Sequence, residues 1–180
     1  MMSYSIHEES SVRARGKEAF AADMDVHMRA KLHMQQFLLF PEVWKEIPLL
    51  YPLDWREVEF KKENTSLIVE SKGVYVFSVR IFGNMVPPSG YITYVGKASN
   101  LQKRFKQYLD EEDYKGTSPR FHIAKMLNLW SNCISFIYAT IENDTDEINV
   151  ERALINGIHP PYNRKDFTGT YGKAIRDAFQ

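Results

Sequence analysis

The pattern of apolar and polar positions changes character near residue 66. Before it, residues 11–38 lack proline and are rich in Ala, Met, Lys, Arg and Gln, which favour helix. Phe20, Met24, Met28 and Leu32 recur every four residues, with Phe37 beyond, and this stripe reads as the core-facing side of a helix. Residues 40–56, "FPEVWKEIPLLYPLDWR", mix aromatics with proline and read as an ordered, largely irregular connector. From residue 66 the runs become β-branched and aromatic: "SLIVE", then "GVYVFSVRIF", then turn chemistry in "GNMVPPSG", then "YITYVG". Residues 73–96 are predicted to form a β-hairpin with a long loop.

Helices follow. Ser99, with Gln102 three residues later, is the expected N-cap of a helix whose apolar stripe is Leu101, Phe105 and Tyr108 or Leu109. Ser118-Pro119 starts a second helix, with Phe121, Ala124, Leu127 and Trp130 facing inward. "CISFIYATI" is a third long strand. Asp144 with Glu147 caps the last helix, "DEINVERALING", which Gly157 ends before "HPPYN". The order β-β-α-α-β-α predicts an α+β fold, a small, mainly antiparallel sheet flanked by helices, behind a mostly helical N-terminal extension. The expected limits are 1–70 for the extension and connector, 71–166 for the domain and 167–180 for a C-terminal tail.

Composition narrows the functional classes. The chain has 180 residues, 44% of them hydrophobic, which suits one globular domain with an appendage. Its formal net charge is zero, so a nucleic-acid role must rest on a local patch. The window 97–125 holds seven basic and four acidic residues. Residues 1–65 hold nine basic and eleven acidic ones, no footprint for DNA, and the extension reads instead as a docking or homodimerisation segment. A single cysteine, Cys133, excludes an internal disulfide and a cysteine-based zinc cluster; its apolar run makes it a buried small hydrophobe. The five histidines show no HxxxH or HxH spacing. The N-terminus has no signal-peptide core, and the most apolar window, "FLLFPEVWKEIPLLYPL", is broken by three prolines and three charges. The chain therefore reads as soluble and cytoplasmic, with no membrane partner.

The candidate chemistry is concentrated in "YVGKASNLQKRFKQYL", residues 94–109, at a strand end and the helix after it. Gly90, Gly96 and Lys97 fail as a phosphate-binding loop: five residues separate the glycines instead of four, and Ala98 follows the lysine. "GVY" at 73–75 followed by "YVG" at 94–96 resembles the signature of the GIY-YIG nuclease family. The resemblance extends over residues 71–166. "YVGKASNLQKRFKQYL" is similar to the second strand and first helix of that domain, in the version found in the incising subunit of bacterial nucleotide-excision repair. Glu151 in "INVERALING" matches the family's metal-binding glutamate, and Asn163 in "PPYN" its terminal asparagine. Taken singly, each of these residues is more often core or solvated surface; the ordered set Tyr75, Tyr94, Lys97, Arg104, Tyr108, Glu151 and Asn163 is what makes the match specific. One departure is that eighteen residues separate Tyr75 from Tyr94 where the family more often has roughly ten, an enlargement that loop entropy tolerates.

The resemblance implies a divalent-metal-dependent endonuclease acting on DNA, with Mg²⁺ held by Glu151 and Mn²⁺ able to substitute. Arg104, one turn before Tyr108 on the same helix face, would clamp phosphate. Lys97 would add a second positive charge and favour the Tyr75 phenolate as general base, with Tyr94 orienting water or phosphate. Asn163 would position the end of the site. A compact chain of this size resembles the restriction or phage-defence members first and the repair members next. The alternative is a catalytically silent module of the same fold that binds nucleic acid or a protein.

Overall fold

The structure, a computed structural model, describes residues 26–35, 41, 42, 45, 51–80, 90–112 and 120–163. The chain divides into two compact units, Met1–Gln35 and Gln36–Gln180. In the first, residues 26–33 are helical, as expected for this stretch. Met28 and Leu32, read as core positions, are exposed there, and Phe20, Met24 and Phe37 lie outside the described residues.

The second unit contains a four-stranded sheet. Its elements run β1 (Arg56–Glu59), a 3-10 helix (Lys62–Leu67), β2 (Gly73–Arg80), β3 (Gly90–Ala98), α1 (Leu101–Glu112), α2 (Phe121–Leu129), β4 (Ile134–Thr140) and α3 (Asp144–Ile158). The spatial order is β1-β4-β2-β3 and every pairing is antiparallel. The α+β class and the β2–β3 hairpin are as the sequence predicts. β2 is central and buried along Gly73–Ser78, which is why it reads as a continuous apolar run rather than an alternating one.

Two cores lie on the two faces of this sheet, because successive side chains on a strand point to opposite sides. Tyr75 and Phe77 of β2 join Phe136 and Tyr138 of β4 and the inner faces of α1 (Leu101, Phe105, Tyr108) and α2 (Ile123, Met126, Leu127). Val74 and Val76 join Val95, Ala139 and the α3 residues Val150, Leu154, Ile155 and Ile158. The first core is aromatic and closely interlocked: Tyr75 stacks on Phe136 at 5.1 Å between centroids, and Phe77 meets Tyr108 edge-on at 5.0 Å.

Several local expectations are corrected. β1 lies within the 1–70 span expected as helical extension and connector; it is an edge strand whose Glu57 receives both 2.7 and 2.9 Å bonds from Arg80 and one of 2.5 Å from Ser135. Charge on an edge strand blocks further pairing. "SLIVE" forms no strand: Ser66 and Leu67 close the 3-10 helix. Phe60 and Ile68, before residue 71, are buried in the aromatic core. Asn100, not Ser99, caps α1, accepting from Lys103 N at 2.7 Å, while Gln102 bonds Ile68 O instead. Asn143 caps α3, one residue before the expected Asp144, accepting from Thr145 N at 2.8 Å. That helix ends not at Gly157 but at Ile158, and its C-cap is His159, which takes the left-handed conformation (φ 50°) and donates its N–H to Ile155 O. Phe121, expected inside, is exposed, and Cys133 is half-buried rather than buried. The expected α2 start at Ser118-Pro119 and the loop "GNMVPPS" lie outside the described residues. Among the described residues no helix is long and apolar enough to cross a membrane.

Candidate active site

The two tripeptides "GVY" and "YVG" face each other across the hairpin, and their glycines have steric reasons. Tyr75 pairs in register with Gly96. The Tyr75 ring lies over that position: a methyl at Gly96 would sit 2.5 Å from Tyr75 Oη and 2.6 Å from its Cζ. A methyl at Gly73 would collide with the carbonyl oxygen of Ala139 on β4. One glycine thus makes room for the other tripeptide's tyrosine, and the other lets two backbones close up.

Tyr75 is buried, and its hydroxyl shares a 2.7 Å hydrogen bond with the hydroxyl of buried Tyr108 on α1. Burial pushes the Tyr75 phenol well above the ordinary value of 10.0, and a charge on neighbouring Tyr94 adds to the rise; Arg104 and Arg120 oppose it. Tyr108 is raised for the same first reason, desolvation, and then by Tyr75. Tyr94, whose ring centroid lies 6.4 Å from Tyr75 and 6.5 Å from Tyr108, is only half-buried. Arg104 is half-buried on α1, one turn before Tyr108, with Nε buried and without a hydrogen-bond partner among the described residues. Arg120, at the start of α2, lies over the Tyr108 ring at 5.1 Å and pairs with Glu111. Sequence reasoning did not single out Arg120; nothing local marks a lone arginine before a helix, and only packing brings it to Tyr108.

Lys97 and Glu151 stand elsewhere. Lys97 is in register with Val74, so it projects from the α3 face, opposite to Tyr75. Its Nζ is 3.8 Å from Glu151 Oε2, both side chains being partly exposed. Lys72 and Asp144 form a second pair at 2.5 Å, and the Lys72 hydrogen bond holds the Asp144 carboxyl below its usual value. The expectation that Lys97 lies beside Tyr75 and draws out its phenolate is therefore corrected: the sheet separates them, and the cations acting on Tyr75 are Arg104 and Arg120.

Asn163 is buried and works on backbone. Its Oδ1 accepts from Val95 N and its Nδ2 donates to Val95 O, each at 2.8 Å, while Tyr162 N donates to Thr93 O. The "PPYN" segment thus pairs with the outer edge of β3 beside Tyr94, and Asn163 stands in for a missing strand. Of the seven residues, the structure brings Tyr75, Tyr94, Arg104 and Tyr108 together on one face and Lys97 with Glu151 on the other. β3 carries a member of each group, and Asn163 pins that strand.

Residues 71–164, more than half of the chain, match the UvrC-like GIY-YIG domain. The chain belongs to this GIY-YIG family. Among its relatives, the proteins named UvrABC system protein C of Streptococcus pyogenes serotype M5 (strain Manfredo) and serotype M49 (strain NZ131) are each 33% identical to it over 107 residues. Those alignments cover 59% of this chain and 15% of the relatives, so the chain spans only a small part of their length. No solved structure matches the chain. Among the described residues, no three or more His, Cys, Asp or Glu side chains gather as a metal-binding group.

Proposed function

We propose that the GIY-YIG domain is a divalent-metal-assisted endonuclease that hydrolyses DNA phosphodiester bonds. The observation that carries this reading is the buried Tyr75–Tyr108 hydroxyl pair with half-buried Arg104 on α1 and half-buried Tyr94 on β3, the strand that also bears Lys97 opposite Glu151. Such hydrolysis needs an activated water, a cationic clamp for the charged phosphorus centre and stabilisation of the leaving oxygen.

Arg104 supplies the clamp, since a guanidinium matches two phosphate oxygens at once and its Nε lacks an acceptor among the described residues. Tyr94, half-buried on β3, orients and activates the water. Tyr75 is buried, bonded to Tyr108 and hard to ionise, which makes it a brace for Tyr94 and Tyr108. Lys97 is the second cation, in place to trade its loose contact with Glu151 for a phosphate oxygen. Glu151 would hold Mg²⁺ or Mn²⁺, and the residues fit: Mg²⁺ keeps several waters and needs one or two carboxylates. Glu147, one turn earlier on α3, is buried with Oε1 lacking a partner among the described residues, so this side of the helix offers uncompensated oxygen. Held by Glu151, such an ion would supply Lewis-acid stabilisation of the departing 3′ oxygen. Similarity to UvrABC system protein C moves a repair-type substrate ahead of the restriction or phage-defence type that chain length favoured.

The test is incubation of the full chain with plasmid, branched DNA and RNA in Mg²⁺, Mn²⁺ and EDTA. Cleavage of DNA in Mg²⁺ and none in EDTA is expected. Full activity in excess EDTA overturns the metal assignment. Binding without cleavage in either metal overturns the enzyme and leaves a binding module.

A further inference from the structure

Arg104, Tyr108 and Glu111 follow one another at four and three residues along α1 and so share one face of the helix. Arg120 completes this face from outside. Its guanidinium covers the Tyr108 ring, and its Nη2 pairs with Glu111 Oε1. The side chains of this pair are 32% and 14% exposed, so Arg120 is reachable from solvent while Glu111 is largely enclosed. Two polar atoms on the same helix face are buried without partners among the described residues: Arg104 Nε and Glu111 Oε2. The unpartnered Arg104 Nε lacks an acceptor and the unpartnered Glu111 Oε2 lacks a donor. Two guanidinium groups, Arg104 and Arg120, act on the same Tyr75–Tyr108 pair, and together they outnumber the single carboxylate that Arg120 engages, which leaves positive charge for an anion.

We infer that a backbone phosphate of the nucleic acid is received between Arg104 and Arg120, and that Glu111 is the carboxylate Arg120 leaves to receive it. The inference rests on the nuclease reading above and deepens it by naming a phosphate-contacting residue and its resting partner. Guanidinium groups match carboxylate and phosphate alike, so the exchange keeps the same donor geometry. The Tyr108 ring holds the guanidinium plane during it, since a cation is attracted to the ring face wherever its hydrogen bonds go. Glu111 is a positioning residue: it fixes where Arg120 waits and competes with the phosphate. The plainer possibility is that Arg120–Glu111 only ties α2 to α1. The two differ in salt dependence, because a phosphate contact releases counterions from the nucleic acid and a tie between helices does not.

The experiment measures binding of the full chain to a short fluorescent DNA duplex by anisotropy, in EDTA so that nothing is cut, over a series of salt concentrations. Wild type, Arg120→Ala, Arg120→Lys, Glu111→Gln and Glu111→Gln/Arg120→Ala are compared, with a melting curve for each. Arg120→Ala is expected to weaken binding roughly tenfold and to lower the slope of log affinity against log salt by about 0.9, the value for one phosphate contact. Arg120→Lys keeps most of the slope. Glu111→Gln tightens binding roughly threefold or more by removing the competing charge, and the tightening vanishes in the double variant. An unchanged slope in Arg120→Ala, or lower melting without tighter binding in Glu111→Gln, overturns the inference. If Arg120→Ala does not fold, Arg120→Gln replaces it in the single and the double variant, with the same loss of slope expected and an unchanged slope overturning the inference. Wild type that binds DNA while Arg120→Ala keeps its slope overturns this inference alone. Wild type that binds no DNA overturns the nuclease reading and this one with it.

Discussion

On the face of the sheet covered by α1 and α2, the hydroxyls of Tyr75 and Tyr108 are engaged with each other inside an aromatic core. On the face covered by α3, Lys97 and Glu151 stand 3.8 Å apart and partly exposed beside an aliphatic core. The first arrangement is rigid and already satisfied, so it determines where its neighbours stand. The second is loose enough to exchange partners, because a pair at this distance in contact with water has little to lose. β3 joins the two, with Tyr94 facing one side and Lys97 the other. Chemical work at a single strand thus draws on a fixed side and an exchangeable side. The motif tyrosine with the deepest burial is for that reason the poorest candidate for a proton acceptor.

The largest contrast expected from this difference is in stability. Tyr75→Ala should cost about 3–5 kcal/mol, as for other large aromatic truncations in a core, whereas Lys97→Ala should cost less than about 1 kcal/mol. Urea unfolding of both variants checks this, and a Lys97→Ala cost as large as that of Tyr75→Ala would erase the distinction between the faces. Next in size is the hydroxyl pair. Tyr75→Phe or Tyr108→Phe leaves one buried hydroxyl unpaired and should each cost about 1–3 kcal/mol, with the double variant costing less than the sum. A double-mutant cycle reads that coupling, and strict additivity would mean that the two hydroxyls do not support each other.

The smallest expected effect is on pH dependence, with its sign fixed by the raised phenols. An acid whose folded value lies above its unfolded value of 10.0 stays protonated in the folded protein while the unfolded chain ionises. Stability from Tyr75 and Tyr108 is then fully present below the ordinary phenol range and lost as pH rises through and beyond it. Melting curves across that range should show a decline that the Tyr75→Phe/Tyr108→Phe variant largely lacks. At the acid end, buried His159 is held below 6.5, chiefly by desolvation, so its contribution falls as pH drops through the ordinary histidine range.

Much of the architecture was legible because it is written in local periodicity. The hairpin, the α1 stripe of Leu101, Phe105 and Tyr108, and the strand "ISFIYAT" follow from runs and spacings that need no tertiary knowledge. β1 was not legible: four residues, three of them charged, carry no strand period, and only pairing with β4 makes them a strand. The helix ends slipped by a residue because Ser99, Asn100, Asn143 and Asp144 are all competent caps and tertiary context chose between neighbours. For the site, order along the chain identified the residues but not the side of the sheet on which each lands. Tyr75 and Lys97 look like partners across a hairpin, yet register places Lys97 opposite Val74, and one residue of offset puts it on the far face. Arg120 was invisible for a related reason: it joins Tyr108 only through the packing of α2 against α1.

The most direct test of the account uses the exchangeable face. Glu151→Gln keeps size and hydrogen-bonding capacity but removes the charge on which a hard divalent ion depends. DNA affinity by anisotropy and cleavage by gel should be measured for wild type and Glu151→Gln, in Mg²⁺ and at one salt concentration. The account predicts that cleavage falls by at least about 100-fold, the scale on which a charge-stabilising group acts, while affinity stays within about threefold. Cleavage by Glu151→Gln at the wild-type rate would contradict it.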